Sequence, residues 1–405
     1  MDIIISRLPL KLAVQCKVLS KSFNDKLCEP SVSQSFASRW FQDQSISKLV
    51  IYSSPSPPSH SRYKISNVFR KVSSNNPSHP RGEISTTSRL KVSLLASCKG
   101  LLLLEFHQFK TFCIFNPITG VHQLIPYPEP RIYFSTRCGG AGLAVDHPTS
   151  NRYKLVIVEL LNNYKGYKFR VFSSEEGGVV WHEFQLRMEF CSSLDGQQPI
   201  YVHDCLHWLT SNGDILAFDT KSSTGEATII KHPDVYKLFK DPMYGVLSLT
   251  YDAMLGLARG LLTIVCAFEK FIVVFGYDYV SRNWTVSYTI FSSALKYLGG
   301  PGLPICFGWG KLLFLGRHRY LYEIDSEMKT YKKVGEVWGT DSAIFFPFEP
   351  TLAPVPKTVL PPYTVHSKHF PFITATLGEL RCLIANRPLI ERVTETPVKR
   401  CRYIN

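Results

Sequence analysis

The run with the most obvious chemical potential is His203-Asp204-Cys205-Leu206-His207, which places imidazole and thiol groups at alternate positions. Alternate residues of a β-strand share a face, so His203, Cys205 and His207 would point together, as the ligands of a zinc ion do. A structural zinc needs a fourth ligand, and no second His/Cys pair lies nearby in the sequence. A strand with a polar, partly exposed face gives the same alternation. We adopt that interpretation and predict no metal site.

The remaining polar residues form no recognised catalytic motif. The sequence contains no Gly-x-Ser-x-Gly elbow, no phosphate-binding loop, no His-Glu-x-x-His pair and no dinucleotide-binding glycine motif. The carboxylates that acid–base catalysis would need lie at predicted turns, where hydrogen bonds to the backbone explain them better. They are Asp146, Asp204, Asp219, Asp278 and Asp325. We therefore predict a non-catalytic protein without a cofactor.

Composition and charge narrow the class of protein further. The chain has 405 residues, 45% of them hydrophobic and 19% charged, which is typical of a globular protein of two or three domains. Its net charge is +14, yet residues 96–350 hold 24 basic and 24 acidic residues. The excess lies toward both termini, so we predict no nucleic-acid partner. The sequence contains no apolar run long enough for a membrane span, and the 11 cysteines are scattered singly. We expect reduced cysteines, no membrane partner and a cytoplasmic and/or nuclear location.

From about residue 92 the sequence consists of short apolar runs separated by turn residues, which is typical of many antiparallel strands. Five units recur, each with two apolar strands, the second of which ends in a polar turn residue. These turn residues are Asn116, Ser173, Asp219, Asp278 and Asp325, at separations of 57, 46, 59 and 47 positions. A period of about fifty predicts a β-propeller, in which small sheets stack around a central axis.

Of the tryptophans beyond residue 92, four lie in or next to these five units: Trp181, Trp208, Trp284 and Trp309. Large aromatic side chains fill the wedge between neighbouring blades, so we predict that each packs between blades. Exposed aromatics at the propeller mouth, where the dominant contacts of protein interfaces concentrate, are the alternative.

The N-terminal segment carries an apolar stripe with helical spacing. Its members are separated by 4, 4, 3, 4 and 4 positions: Leu8, Leu12, Cys16, Leu19, Phe23 and Leu27. Pro9 and Pro30 interrupt the pattern, which predicts three or four short helices. Judged by spacing alone, this segment is a small helical cap on the next domain.

The same segment resembles the F-box, the module that docks F-box proteins onto the Skp-family adaptor of a cullin–RING ubiquitin ligase. The residues that match are Arg7-Leu8-Pro9-x-Lys11, Cys16-Lys17-Val18-x-Ser20-Lys21-Ser22-Phe23, Leu27 and Pro30. F-boxes usually begin further upstream with another Leu-Pro pair, so we expect a module truncated at its N-terminus; Phe23 also replaces the usual Trp. The resemblance implies adaptor contact through an apolar face comprising Ile5, Leu8, Pro9, Leu12, Cys16, Val18, Phe23 and Leu27.

A second resemblance covers about residues 95–355, which look like the F-box-associated domain of a large plant family. It rests on these ordered pieces: Lys99-Gly100-Leu101-Leu102 through Asn116-Pro117-Ile118-Thr119-Gly120, Tyr153-Lys154-Leu155-Val156 with Val171-Phe172-Ser173-Ser174, Leu206-His207-Trp208-Leu209 with Phe218-Asp219, and Phe345-Phe346-Pro347-Phe348-Glu349-Pro350-Thr351-Leu352. The resemblance implies a β-propeller-like, kelch-like domain that recognises target proteins.

We therefore predict a mainly β protein in which a short N-terminal helical F-box-like module precedes a β-propeller-like domain. The expected parts are the module (1–42), a Ser/Pro-rich connector with a possible first strand (43–94), the propeller (95–355) and a basic, Pro-containing tail (356–405). The expected function is the substrate-recognition subunit of an SCF-type ubiquitin ligase, which docks a Skp-family adaptor, and through it a cullin–RING ligase, and binds an unknown target protein. The alternatives are a propeller scaffold whose truncated F-box is non-functional and an enzyme that uses the propeller mouth.

Overall fold

The computed structural model describes residues 49–54, 64–67, 92–128, 140–146, 149–161, 164–176, 179–234, 252–268, 271–291, 303–308, 311–315, 320–325, 330–336, 344–348, 351, 353–355, 370–385 and 399–400. These residues form 24 strands, one α-helix and one short 3-10 helix. The predicted mainly β fold is confirmed.

Five blades follow one another along the chain, each built from four consecutive antiparallel strands. Blade 1 comprises β3 (Val92–Cys98), β4 (Leu101–Phe106), β5 (Thr111–Phe115) and β6 (His122–Pro126), with a 3-10 helix (His107–Phe109) between β4 and β5. Blade 2 comprises β7 (Ala141–Val145), β8 (Tyr153–Leu160), β9 (Gly166–Ser173) and β10 (Trp181–Arg187). Blade 3 comprises β11 (Ile200–Val202), β12 (Cys205–Leu209), β13 (Ile215–Asp219) and β14 (Ala227–Ile230).

Blades 4 and 5 repeat the pattern and are joined by a single parallel pairing between their first strands, Leu257 with Gly308. Blade 4 comprises β15 (Asp252–Ala258), β16 (Leu261–Ala267), β17 (Phe271–Asp278) and β18 (Asn283–Phe291). Blade 5 comprises β19 (Leu303–Gly308), β20 (Lys311–Leu315), β21 (Tyr320–Asp325) and β22 (Thr330–Glu336). A two-residue strand, β24 (Lys399–Arg400), extends the outer edge of blade 5.

Blade 6 combines strands from distant parts of the chain. The early strands β1 (Leu49–Ser54) and β2 (Lys64–Asn67) pair with the late strand β23 (Ile344–Phe348), in the order β2-β1-β23. The first strand of each blade contacts the first strand of the next, and β23 contacts both β19 and β3. The described strands therefore close into a six-bladed ring, a β-propeller whose last blade joins the early and late strands.

Each strand direction reverses along a blade, so the connections separate onto two faces. The hairpin face carries the turns between the first and second strands and between the third and fourth. The loop face carries the turns between the second and third strands and the crossovers from one blade to the next. Because β1 runs antiparallel to β23 with Leu49 opposite Phe348, the chain enters β1 at the hairpin face.

Four apolar clusters lie between successive blades, from blades 1 and 2 to blades 4 and 5. Strand β8 shows how they form, since Leu155 and Ile157 face blade 1 while Val156 and Val158 face blade 3. A segment that is buried on both faces needs apolar residues at every position, which explains the unbroken apolar run at residues 155–158 of β8.

The tryptophans whose side chains are described pack between blades, as predicted. Trp208 is 1% exposed and lies in the cluster between blades 2 and 3. The Trp181 indole donates a hydrogen bond to the Pro126 carbonyl of blade 1 at 3.2 Å, and the Trp284 indole donates to the Lys231 carbonyl that follows blade 3 at 2.8 Å. Trp309 lies outside the described residues.

The polar residues predicted at the repeated turns bind their own backbone. In each case the side-chain oxygen accepts a hydrogen bond from the backbone N–H two residues further along the chain. The N–H of Ile118 donates to Asn116 Oδ1 at 2.9 Å, and that of Glu175 donates to Ser173 Oγ. The N–H of Lys221 donates to Asp219 Oδ1 at 2.7 Å, and that of Val280 donates to Asp278 Oδ1 at 2.9 Å. Each side chain replaces a backbone partner in the tight reversal after the third strand of a blade. The Asp325 side chain lies outside the described part.

The late residues cross the hairpin face after β23. The Asn116 side-chain amide donates to the carbonyls of Thr351 and Ala353, and α1 (Phe370–Ala385) buries Ile373, Leu377 and Leu380. Helix α1 lies within the stretch predicted to be the tail, and β1 and β2 lie within the predicted connector. The domain boundaries themselves stay predictions. No helix among the described residues is long and apolar enough to cross a membrane.

Candidate interaction surface

The residues predicted to contact an adaptor lie outside the described part of the chain: Ile5, Leu8, Pro9, Leu12, Cys16, Val18, Phe23 and Leu27. Their predicted role stays a prediction. The described surface of the propeller is therefore where a candidate site can be built from contacts.

The alternating strand expected for His203, Cys205 and His207 is not what forms. His203 and Asp204 both have positive φ, 50° and 63°, and make the two-residue turn between β11 and β12, whereas Cys205 and His207 lie on β12. Such a turn matches the twist of the flanking strands and requires left-handed backbone at both positions. Among the described residues no group of three potential ligands is placed to hold a metal ion.

Tyr279 lies against both histidines. Its ring centroid is 4.5 Å from that of His203, and its hydroxyl lies 2.9 Å from His207 Nε2. His207 Nδ1 lies 3.2 Å from the Ile200 carbonyl oxygen, which can only accept, so Nδ1 carries the proton and Nε2 accepts from Tyr279. Burial lowers the pKa of His207 to about 4 and thereby keeps the ring neutral. The histidine is a structural link between blades 3 and 4.

Ser93, His107 and Glu105 have the order of a nucleophile relay, which the sequence did not suggest. Ser93 Oγ lies 2.8 Å from His107 Nε2, and His107 Nδ1 lies 3.4 Å from Glu105 Oε1. Ser93 is only 5% exposed, and the same carboxylate oxygen accepts the Tyr127 hydroxyl. A nucleophile must reach a substrate carbonyl, so this network serves better as a polar tie between β3, β4 and the end of β6.

The loop face of blade 2 displays exposed apolar side chains in one place. Phe190 is 73% exposed, Tyr164 53% and Leu160 36%. We call the two aromatic residues, Tyr164 and Phe190, the aromatic patch. Clustered exposed apolar side chains mark interaction sites, and aromatic residues dominate binding energies at protein interfaces. The exposed side chains of Lys165, Arg187 and Glu189 adjoin it in the sequence.

The segment that carries Phe190 is the crossover from blade 2 to blade 3, residues 188–199, and backbone hydrogen bonds hold it at both ends. The Met188 and Cys191 N–H groups donate to the carbonyls of Lys165 and Tyr164, at 3.0 and 2.9 Å. Further along, the Ser211 N–H donates to Ser193 at 2.8 Å. A side chain on such a fixed backbone loses little conformational freedom when it binds a partner.

The far end of this crossover reaches other blades. The Gln197 amide donates to the Ala253 carbonyl of blade 4 at 2.6 Å, and the Gln198 amide donates to Ser97 of blade 1 at 3.1 Å. The Ser97 hydroxyl donates in turn to Pro347 of blade 6 at 2.7 Å. The edges of the first strands thus find side-chain partners, and the crossover is anchored to blades 1 and 4.

Sequence reasoning assigned the exposed-aromatic role to tryptophans and missed Tyr164 and Phe190. The signal was present, because both lie in polar, turn-like sequence, Asn162-Asn163-Tyr164-Lys165-Gly166 and Met188-Glu189-Phe190. An aromatic residue outside the apolar runs lies outside the predicted strands, so it is not expected to face the core.

Comparison with known proteins relates the sequence to plant F-box proteins. A putative F-box/kelch-repeat protein of Arabidopsis thaliana is 29% identical over 136 residues, which cover 32% of this chain and 30% of the relative. An F-box protein of the same plant is 24% identical over 233 residues, covering 55% of this chain and 70% of the relative. The chain thus matches under a third of the first relative's length. No protein-family model matches the chain.

Among solved structures, the β-propeller domain of Cps50 (Swd1) from Myceliophthora thermophila is similar with a TM-score of 0.31 and 10% identity. The match covers 57% of this chain and 64% of that one.

Proposed function

Starting from its relation to plant F-box proteins, we propose that this chain is the substrate-recognition subunit of an SCF-type ubiquitin ligase. The N-terminal residues dock a Skp-family adaptor, and through it a cullin–RING ligase, while the propeller binds a target protein. The chain itself is non-catalytic and acts in the cytoplasm and/or nucleus. Its contribution is proximity, because it holds the target beside subunits that transfer ubiquitin.

For the propeller, the proposal rests on the face of the ring where the aromatic patch lies. Residues 1–48 precede β1, which begins at the hairpin face. The segment 351–355 and α1 also follow β23 on that face, where the Arg381 side chain lies against Gly120. Tyr164 and Phe190 lie on the opposite, loop face. A target bound there would occupy the face opposite the point where the chain enters β1.

The chemistry of the aromatic patch suits protein recognition. Tyr164 and Phe190 offer large apolar areas on a backbone that is already fixed, and Lys165, Arg187 and Glu189 supply a charged rim. An apolar centre with a polar rim is the usual composition of a protein–protein interface.

Site-specific photo-crosslinking in plant cells tests this function. A photoreactive phenylalanine analogue replaces Phe190 in the full chain, and the matched control carries the same analogue at Phe372, which is 54% exposed on α1. We expect a protein that crosslinks from position 190, does not crosslink from position 372, and accumulates when the gene for this chain is deleted. Identical crosslinks from both positions, or a captured protein whose abundance does not depend on this chain, would contradict the proposal.

A further inference from the structure

The hairpin face carries basic side chains at equivalent positions around the propeller axis. The turns between the first and second strands are Lys99-Gly100 in blade 1, His203-Asp204 in blade 3 and Arg259-Gly260 in blade 4. All six residues have positive φ, between 42° and 80°, so these are the same two-residue turn. Lys99, His203 and Arg259 occupy the first position and are exposed. We call the region around these turns the axial mouth.

Lys154 and Lys221 add two more cations beside these turns. The Lys154 ammonium donates to the Thr220 carbonyl oxygen, and Lys221 Nζ lies 2.9 Å from Asp204 Oδ2. Thr220 in turn donates from its hydroxyl to the Asp204 carbonyl at 2.7 Å. These contacts tie the residues that follow β13 to the blade 3 turn at the axial mouth.

The two carboxylates described at the axial mouth, those of Asp146 and Asp204, already have partners within the protein. Asp146 Oδ1 accepts from the Tyr201 hydroxyl at 2.7 Å, and Asp204 accepts from Lys221. Burial and Asp146 raise the pKa of Tyr201, so its hydroxyl stays protonated and continues to donate. Farther out, Asp219 and Asp278 bind the backbone of their own turns. Among the described residues of the axial mouth, the four Lys/Arg side chains Lys99, Lys154, Lys221 and Arg259 outnumber the carboxylates of Asp146 and Asp204.

Lys99 is the cation best placed to bind an external group. Its ammonium lies 5.6 Å from the centroid of the Tyr201 ring, so blade 3 supports the side chain that begins in blade 1. Such a contact positions the charge and leaves the ammonium N–H groups available, and no carboxylate partner of Lys99 occurs among the described residues. The Lys99 carbonyl meanwhile accepts from Thr351 at 3.0 Å, which fixes its turn.

We propose that the axial mouth of the hairpin face binds a carboxylate-rich segment of a partner protein, with Lys99 as a direct contact. This site lies opposite the aromatic patch and does not depend on target binding there. Charge complementarity selects the partner, since a positive rim with its own acids neutralised attracts glutamate and aspartate side chains. A nucleic acid is disfavoured because residues 96–350 are formally neutral and offer no extended basic track along a backbone.

Fluorescence anisotropy with the purified full chain and a fluorescein-labelled oligoglutamate peptide tests the proposal at physiological ionic strength. Lys99→Glu should raise the Kd about tenfold, as expected for one lost ionic contact. Lys110→Glu is the matched control, because Lys110 is exposed on the loop face and also has positive φ, and it should shift the Kd less than about twofold. Lys99→Arg keeps the cation and should bind like the wild type.

Three results would overturn the site. The first is no binding of the peptide to the wild type. The second is equal weakening by Lys99→Glu and Lys110→Glu, which would show general attraction to a basic chain. The third is tighter binding of a single-stranded DNA oligonucleotide with the same dependence on Lys99. Thermal unfolding of each variant, with midpoints equal to the wild type, ensures that folded proteins are compared.

Discussion

Cys191 and Gly166 form a reciprocal pair beneath the aromatic patch. The Gly166 N–H donates to Cys191 Sγ at 3.2 Å, and the thiol donates back to the Gly166 carbonyl at 3.3 Å. The pair fixes the start of β9 to the crossover one residue beyond Phe190. The exposure of Phe190 is thus a consequence of a locked backbone.

Replacing Gly166 should weaken the attachment of β9 to the crossover and lower the stability of the protein. Gly166 has a φ of 133°, and a Cβ there would lie 2.0 Å from the Leu186 carbonyl oxygen. Gly166→Ala should therefore cost at least about 2 kcal/mol of unfolding free energy, because both the strained backbone and the contact must relax. Urea denaturation measures the loss. Gly196→Ala is the control, since Gly196 also has positive φ, 84°, but meets nothing within 4 Å; an equal loss in both would contradict the packing argument.

Because β1 pairs with β23 in blade 6, we predict that β1 is required for the stability of the propeller. Ile51 pairs with Asn67 on one side and Phe346 on the other, so it lies in the centre of blade 6. Ile51→Pro removes a backbone donor from a central strand and should cost about 3 kcal/mol or more. Thermal unfolding followed by circular dichroism checks this. An unchanged midpoint would mean that the late strand β23 closes the ring without β1.

Because of His207, the free energy of unfolding should fall as the pH is lowered. Its pKa is about 4 in the folded protein against an ordinary 6.5, so the unfolded chain takes up a proton first as pH falls. Its contribution is fully present above pH 6.5 and is lost progressively down to about pH 4, by about 3 kcal/mol in all. Urea midpoints across this range measure the slope. His207→Gln should flatten it, whereas an exposed histidine changed in the same way, His182→Gln, should not; equal slopes in wild type and His207→Gln would refute the assignment.

The indole hydrogen bonds between blades should be worth measurable stability. Trp181→Phe and Trp284→Phe each remove the donor to a neighbouring carbonyl, so each should cost about 1–2 kcal/mol. The two bonds share no partner, and the losses in the double variant should add to within about 0.5 kcal/mol. Chemical denaturation of the single and double variants provides the comparison. Losses near zero would show that aromatic packing alone joins these blades.

Much of the propeller follows from local sequence. Turn residues such as Asn116 and Asp219 have one dominant local partner, their own backbone, so their spacing marks the blades correctly. The middle of strand β8, residues 155–158, shows its burial directly in an unbroken apolar run. Blade 6 could not be derived in this way, because β1 and β23 are separated by almost the whole chain and no local pattern encodes their pairing.

The interaction surfaces were less predictable for a different reason. The turn at His203 depends on whether two residues adopt positive φ, and neither is the glycine or asparagine that usually signals such a turn. The support of Lys99 by Tyr201 joins blades that are about a hundred residues apart, so it appears only after the ring is assembled. Surface chemistry of this kind depends on tertiary contacts, which spacing within the sequence does not reveal.

The most direct test of the proposed role is co-purification of the full chain with a Skp-family adaptor, beside a variant that carries Leu8→Asp and Cys16→Asp. Charges buried in an apolar docking face cost several kcal/mol, so the account predicts a stable complex with the wild type and none with the variant. Equal thermal midpoints of the two proteins would confirm that the propeller of the variant is intact. Absence of a complex with the wild type, or equal binding by both, would contradict the ligase-receptor function.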